Sequence, residues 1–295
     1  MESGLRIGFV GFGEAAYHLA KGLRQPGIAS ITAFDIKVTE KVRGRARETQ
    51  VRLLDTNQEL AGSCDILMSA VTADQALTAA EQNAPHLTSR HNYADLNSVS
   101  PGVKQSIARV IGATGARFTE IAMMAPVPPY NHKVPMLAGG AGAPDFVAKL
   151  APFGISAEIV SSEVGTAAAT KMFRSIIVKG MEALLTECVL GASRYNADER
   201  VFASLAETFP GIDWPELADY MVGRVVVHGE RRGREMEEVA ATLREIDIEP
   251  IMAEAIVRRM DWSVEAGLKQ VFHGEAPKSY REVVDAVAKK PVGAD

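Results

Sequence analysis

A glycine-rich turn near the start of the chain has the residue types that hold a pyrophosphate. Gly11, Gly13 and Ala16 form a G-x-G-x-x-A pattern between the apolar run Leu5–Val10 and a segment with helical periodicity. The first glycine permits a tight turn, the second lets the backbone approach a phosphate, and the alanine lets helix and strand pack together. The helix start adds N–H groups and a positive dipole end. The cofactor-binding residues expected in this turn are Gly11, Phe12, Gly13, Glu14 and Ala15.

An acidic residue follows where such a site would hold the adenosine ribose. Asp35 ends the apolar run 31–34, about 20 residues beyond the glycine pattern. A carboxylate there accepts hydrogen bonds from both ribose hydroxyls and repels a 2′-phosphate, which favours NAD over NADP. Lys37, Arg43 and Arg45 stand nearby and could reach a phosphate, so NADP stays possible. Val71, Thr72 and Asn97, at the ends of later apolar runs, complete the expected cofactor site.

The elements that must position these residues alternate in the first half of the chain. Short apolar runs are separated by segments with helical periodicity, which predicts right-handed crossovers and a mainly parallel, doubly wound sheet with helices on both faces. The runs expected to form strands are 5–10, 31–34, 51–54, 66–71, 93–96 and 118–123. We therefore expect an α/β Rossmann domain over residues 1–161.

The pattern becomes entirely helical beyond about residue 161. A long alanine-rich segment without proline, 164–192, comes first. The further helices are expected at 198–208, 214–228, 234–244, 250–269 and 279–289. Residues 162–295 are thus predicted to form an all-α domain for substrate binding and dimerisation.

Three later segments, taken with the glycine turn, resemble the β-hydroxyacid dehydrogenase family, which includes 3-hydroxyisobutyrate, tartronate-semialdehyde and 6-phosphogluconate dehydrogenases. Residues 95–101, DLNSVSP, resemble its D-x-S-x-x-S-P block. Residues 120–126, EIAMMAP, stand where the family has D-A-P-V-S-G-G, and residues 165–171, GTAAATK, resemble its lysine-bearing helix. The segments occur in the family's order, and the resemblance covers the whole chain. They are similar to a branch with a phosphogluconate-dehydrogenase-like C-terminal domain.

The resemblance implies a dehydrogenase that transfers a hydride between a nicotinamide cofactor and a small hydroxy acid or a related alcohol or carbonyl. Lys171 falls on the family's catalytic lysine. Its neighbours are mostly apolar, so burial is expected to lower the pKa of its amine and allow acid/base chemistry near neutral pH. The residue pattern alone would favour a lysine that extends to solvent. Ser175, one turn later on the same face, replaces the family's asparagine and is expected to bind substrate or orient the amine.

Further substrate-binding residues are expected at the carboxyl edge of the sheet. Asn97 and Ser98 follow a strand there, where ligands bind in open α/β sheets, although both types also favour turn capping. Met124, Ala125 and Pro126 replace the family's Ser-Gly-Gly, which contacts the substrate carboxylate. Because of this replacement, no known substrate of the family is carried over.

Two polar residues outside these motifs are also assigned to substrate. His132 lies in the proline-containing segment 127–133, which either shapes specificity or forms an exposed loop. Arg231 falls roughly where the family has a substrate-contacting helix and could clamp a carboxylate, with an exposed charged turn as the alternative.

Composition limits the partners. A net charge of −5 gives no electrostatic reason to expect nucleic acid or an anionic membrane. Cys64 and Cys188 lack metal-type spacing, so neither a metal site nor a disulfide is expected.

The residue pattern has no signal peptide and no apolar run that would span a bilayer, so the expected location is the cytoplasm. The apolar faces of the long helix predict a homodimer.

Two other functions remain open at this point. An imine reductase on the same fold is the nearer one, but such enzymes often have Asp or Tyr in place of the lysine, so Lys171 favours hydroxyl chemistry. The other is a non-catalytic NAD-sensing module, since fold alone does not establish function. The replaced family residues keep that interpretation open, and Lys171 argues against it.

Overall fold

The computed structural model describes residues 4–289. The chain divides into two compact units, Met1–Lys171 and Met172–Asp295. The helix Thr166–Ala192 begins in the first unit and continues in the second. The domain boundary expected near residue 161 stays a prediction.

The first unit is built on a doubly wound sheet, as predicted. Its strands are β1 (Leu5–Val10), β2 (Ile28–Phe34), β3 (Arg52–Leu53), β4 (Ile66–Ser69), β5 (Asn92–Asp95), β6 (Arg117–Met123), β7 (Met136–Gly139) and β8 (Ala157–Ser161). They are ordered β3-β2-β1-β4-β5-β6-β7-β8. β7 runs antiparallel to β6, and the other neighbours are parallel. The strand order reverses between β1 and β4, which is where ligands bind in sheets of this kind.

Helices cover both faces of this sheet because its strands are apolar on both sides. The helices are α1 (Glu14–Leu23), α2 (Glu40–Thr49), α3 (Asn57–Ser63), α4 (Ala76–Asn83), α5 (Pro101–Gly112), α6 (Val127–Tyr130) and α7 (Ala143–Leu150). Along β1, Ile7 and Phe9 enter the core beneath α1, whereas Val10 enters the core beneath α5 with Ile107. The strands with near-continuous apolar sequence therefore lie between two helical layers.

The described part of the second unit consists of helices and the loops that connect them, as predicted. Its helices are the rest of α8 (Thr166–Ala192), followed by α9 (Asp198–Thr208), α10 (Trp214–Glu245), α11 (Ile251–Glu265), α12 (Leu268–Val271) and α13 (Tyr280–Ala288). Two apolar clusters form its core, one around Trp214 and Tyr280 and the other around Met236 and Met260. Within residues 4–289, every helix falls short of the length or apolar character that crossing a membrane requires.

The expected break between residues 228 and 234 is wrong, since α10 runs through it without interruption. Gly229 and Gly233 lie against α11. A Cβ at Gly229 would lie 2.3 Å from the Ser263 hydroxyl, and one at Gly233 would lie 3.5 Å from the Met260 Cβ. These glycines permit the close approach of two helices and do not end a helix.

Candidate functional site

A cleft of about 690 Å³ opens at the carboxyl ends of β1, β2 and β4. Its volume is within the range of small-molecule sites. It is lined by seven of the residues predicted to bind cofactor: Gly11, Gly13, Glu14, Ala15, Asp35, Val71 and Thr72. Ile36 also lines the cleft, and it is an apolar side chain that is 71% exposed. An exposed apolar residue at the rim suits contact with a flat ring such as adenine.

The glycine turn has the geometry of a phosphate cradle. Gly11 has a φ of +80°, and a Cβ there would lie 2.7 Å from the carbonyl oxygen of Ala70. A Cβ at Gly13 would meet nothing within 4 Å, so the backbone at Gly13 borders open space. Among residues 4–289, no side chain caps the start of α1, which leaves its first N–H groups available to an anion. The residues present therefore fit a dinucleotide.

Asp35 holds this turn in place. Its Oδ2 accepts a hydrogen bond from the Phe12 amide at 2.8 Å, and its Oδ1 accepts one from the Lys37 amide at 2.8 Å. The Phe12 side chain is fully buried, so Phe12 can contribute only its backbone to the cleft. Hydrogen bonds from Gln75 and Thr72 lower the pKa of Asp74, a second carboxylate that lines the cleft.

The charged residues of the cleft bear on the choice of cofactor. Glu14, Asp35 and Asp74 are acidic, and Lys37 is basic. An additional phosphate on the adenosine ribose would therefore enter a predominantly negative cleft. This balance favours NAD, although Lys37 leaves NADP possible.

Lys171 and Ser98, two of the predicted site residues, lie in direct contact. The Lys171 Nζ donates a hydrogen bond to the Ser98 Oγ at 2.6 Å. Ser98 is exposed on the loop after β5, and Lys171 is partly buried in the second turn of α8. Ser100, just beyond Ser98, caps α5 by accepting a hydrogen bond from the Val103 amide. The loop is thereby fixed on the C-terminal side of Ser98.

A buried polar network lies beneath that loop. Asp95 and Lys104 form an ion pair, Nζ to Oδ2 at 2.5 Å, with side chains 0% and 1% exposed. The Lys104 Nζ also donates to the carbonyl oxygens of Asp95 at 2.8 Å and Ile121 at 3.3 Å. Asn97 Nδ2 donates to Asp95 Oδ1 at 2.5 Å and to Ser69 Oγ at 3.0 Å. Asn97 is therefore a buried anchor for the loop, and it does not line the dinucleotide cleft.

The loop that replaces the family's Ser-Gly-Gly begins at the same edge of the sheet. Met124, Ala125 and Pro126 follow β6, which pairs in parallel with β5. The Met124 amide donates to the Pro135 carbonyl at 2.8 Å and so extends the ladder between β6 and β7. Pro126 is exposed, whereas Ala125 packs against the core.

His132 is buried near the end of segment 127–133. Its ring packs against α1, where a Cβ at Gly22 would lie 1.7 Å from Nδ1. Its Nε2 lies 3.3 Å from the Gln25 amide nitrogen. Burial, helped by the charge of Lys133, lowers the pKa of this imidazole. These contacts anchor segment 127–133 to α1, and they give no support to a role for His132 in specificity.

The two remaining substrate candidates belong to the second unit. Ser175 follows Lys171 by one turn of α8. Arg231 is exposed on α10 and pairs with Glu235 within that helix. The adjacent Arg232 is buried and pairs with the buried Glu182, Nη1 to Oε2 at 3.0 Å.

Sequence reasoning missed Lys104 and the buried role of Glu120. Lys104 stands on one helical face with Ile107 and Ile111, and a lysine at an apolar position signals a buried partner. Glu120 interrupts the apolar strand β6, which is a similar signal. The partner of Lys104 depends on how α5 packs against β5, and local patterns do not give that packing.

Comparisons with known proteins agree with this architecture. The NAD-binding domain of 6-phosphogluconate dehydrogenase matches residues 6–127, and a domain of unknown function, DUF1932, matches residues 192–263. A conserved protein of unknown function, described as structurally similar to 3-hydroxyacid dehydrogenases, is 32% identical with a TM-score of 0.79, covering 92% of this chain and 99% of that one. The chain belongs to the β-hydroxyacid dehydrogenase family.

Two further proteins are similar to this chain over most of its length. A conserved hypothetical protein from Sinorhizobium meliloti 1021 is 36% identical with a TM-score of 0.85, covering 97% of this chain and 96% of that one. An uncharacterized 28.5 kDa protein from Methanothermus fervidus is 28% identical, covering 84% of this chain and 94% of that protein. The predicted family and its NAD-binding domain are thereby confirmed.

Proposed function

We propose that the protein is an NAD(P)-dependent oxidoreductase that transfers a hydride between the nicotinamide and a small hydroxy acid or a related alcohol or carbonyl. The observation that carries the proposal is the hydrogen bond from Lys171 to Ser98 at 2.6 Å. Ser98 follows β5, and the dinucleotide cleft opens at the carboxyl ends of β1, β2 and β4. These strands are parallel, so an acid/base candidate and a cofactor cleft share one edge of the sheet.

In this proposal Lys171 handles the proton of the substrate oxygen. A bound nicotinamide would supply the acceptor or donor of the hydride. During alcohol oxidation the neutral Lys171 amine takes the hydroxyl proton, and during carbonyl reduction the ammonium returns it. Ser98 accepts a hydrogen bond from Nζ and so restricts the positions that the amine can take.

We propose in addition that the protein works as a homodimer in the cytoplasm. The long helix α8 leaves Ile177 67% exposed and Leu184 61% exposed, two turns apart on one face. Leu185, another apolar residue of this helix, is buried within the second unit. Light scattering of the purified protein tests the dimer, with Leu184→Arg as the variant expected to yield monomer.

The function is tested by following the absorbance of reduced nicotinamide with the purified protein. NAD and NADP are offered with a panel of small 3-hydroxy acids, and NADH and NADPH with the matching carbonyls and with imines. Turnover of hydroxy acids supports the proposal. Turnover confined to imines would favour the reductase alternative, and tight cofactor binding without any turnover would favour the NAD-sensing module.

A further inference from the structure

A buried carboxylate lies at the start of the helix that carries Lys171. Glu120, on β6, is fully buried. Its Oε1 accepts hydrogen bonds from the amides of Gly165 at 2.9 Å and Ala167 at 3.0 Å. Its Oε2 has no hydrogen-bond partner within the part of the chain that the structure describes. One carboxylate oxygen thus satisfies two backbone N–H groups that have no acceptor within the helix.

The surroundings of Glu120 are shaped to hold it. Gly139 is its cross-strand partner on β7, and a Cβ there would lie 2.5 Å from the Glu120 Oε1. Gly165 has a φ of +114°, a conformation that favours glycine. Two glycines therefore leave room for the carboxylate and let the backbone turn towards it.

Glu120 is connected to Lys171 through the first turn of α8. The Ala167 amide, held by Glu120, lies one helical turn before Lys171. Glu120 is also in register with Asp95 on the neighbouring strand. Asp95 anchors the loop that carries Ser98 through Asn97, so two adjacent buried carboxylates fix the two sides of the Ser98–Lys171 hydrogen bond.

We propose that Glu120 is a positioning residue for Lys171. Its Oε1, which accepts both hydrogen bonds, fixes the start of α8 and thereby places the Lys171 Nζ against Ser98. This rests on the proposed function, in which Lys171 exchanges the substrate proton. It assigns a role to the acceptor oxygen of Glu120, and it requires no contact between Glu120 and substrate.

The test compares Glu120→Leu, which removes the acceptor at similar size, with Glu120→Gln, which keeps one. Glu120→Leu is expected to lower kcat by about 10- to 100-fold, because a small displacement of an acid/base group has an effect of that size. Glu120→Gln is expected to restore most of the lost rate. The Kd for NADH should stay the same in both variants. Thr119→Val, a buried change on the same strand facing Asn92, is the control for disturbance of β6 alone.

A second readout does not depend on turnover. Acetic anhydride labels free amines, and mass spectrometry compares the labelling of Lys171 with that of Lys37 over a range of pH. The comparison reports whether the Lys171 amine keeps its position against Ser98. Glu120→Leu should change the labelling profile, whereas Glu120→Gln should leave it near that of wild type. Gly139→Ala, whose Cβ would displace Oε1, should act in the same direction as Glu120→Leu and replaces it if that variant does not fold.

The outcomes separate this proposal from the proposed function. An altered labelling profile in Glu120→Leu, in a protein that oxidises no substrate, would support the positioning role and count against the function. Wild-type kcat and labelling in Glu120→Leu, in an active enzyme, would overturn the positioning role alone. A Glu120→Gln variant as impaired as Glu120→Leu would also overturn it, since an acceptor oxygen would then not be what matters.

Discussion

Lys171 Nζ and Ser98 Oγ lie 2.6 Å apart although 73 residues separate them in the chain. One stands near the start of α8 and the other on the loop after β5. Each of these segments is tied to a fully buried carboxylate of the sheet, Glu120 for the helix and Asp95 for the loop. The hydrogen bond is therefore held from both sides by the core of the first unit.

Ser98→Ala is predicted to lower kcat more than it raises KM. The change removes the acceptor for the Lys171 amine, and a hydrogen bond with a charged partner contributes about 1.5 to 3 kcal/mol, or roughly 10- to 100-fold in rate. Ser98→Thr keeps the hydroxyl and should retain most of the activity. Steady-state kinetics of both variants decide the point, and a Ser98→Ala enzyme with unchanged kcat would remove Ser98 from the mechanism.

Lys104→Met is predicted to destabilise the first unit by about 3 to 5 kcal/mol, because it leaves the buried Asp95 carboxylate without its charged partner. The double variant Lys104→Met/Asp95→Asn should regain much of that loss. Both tryptophans, Trp214 and Trp262, lie in the second unit, so hydrogen exchange of β5 peptides is the suitable measurement. Equal hydrogen exchange in the single and double variants would contradict the predicted energetic coupling between Lys104 and Asp95.

The sequence predicted the elements that local patterns specify. The glycine turn, the six strands from β1 to β6 and the helical second half all follow from residue types with regular spacing. Strands β7 and β8 were not predicted. Pro135 and Gly140 stand directly before and after β7, and both residue types are typical of loops. Its pairing with β6, with Ala138 opposite Ile121, stabilises it more than its own sequence does.

The candidate site was predictable only in part, for a related reason. The resemblance indicated Ser98 and Lys171, but not that they share a hydrogen bond. Lys104 and Glu120 owe their roles to partners on adjacent elements, and a single sequence does not reveal those partners. The break expected between residues 228 and 234 was wrong because close packing of α10 on α11, at Gly229, also selects glycine.

The cleft is predicted to bind NAD more tightly than NADP, by about 10-fold or more in Kd. Asp35→Asn should reduce this preference, because it removes a negative charge and keeps an oxygen that can accept from the Phe12 amide. Lys37→Ala is the control, and it should weaken NADP binding more than NAD binding. Titrations of both cofactors against the three proteins give the ratios. A preference for NADP in the wild type would contradict this account of Asp35.

Glu182 is predicted to make the second unit less stable as the pH rises from about 4.5 to 7. Burial raises the pKa of Glu182 from 4.5 to about 7, although Arg224, its ion-pair partner at 3.0 Å, lowers it. A carboxyl group with a raised pKa binds more protons in the folded state than in the unfolded state across this window. The stability of wild type relative to Glu182→Gln should therefore fall by about 3 kcal/mol.

Tryptophan fluorescence during urea unfolding measures this change, because Trp214 and Trp262 both lie in the core of the second unit. A relative stability that grows with pH would mean that the two arginines hold Glu182 ionised, contrary to the prediction.

Replacement of Lys171 tests the central claim most directly. The measurement is the rate of nicotinamide reduction by wild type and Lys171→Ala on the best hydroxy acid found, with the Kd for NADH determined for both. The account predicts that kcat falls by about 100- to 10,000-fold while cofactor still binds, the range for loss of a general acid/base. Equal turnover in the two proteins would show that Lys171 does not carry the proton.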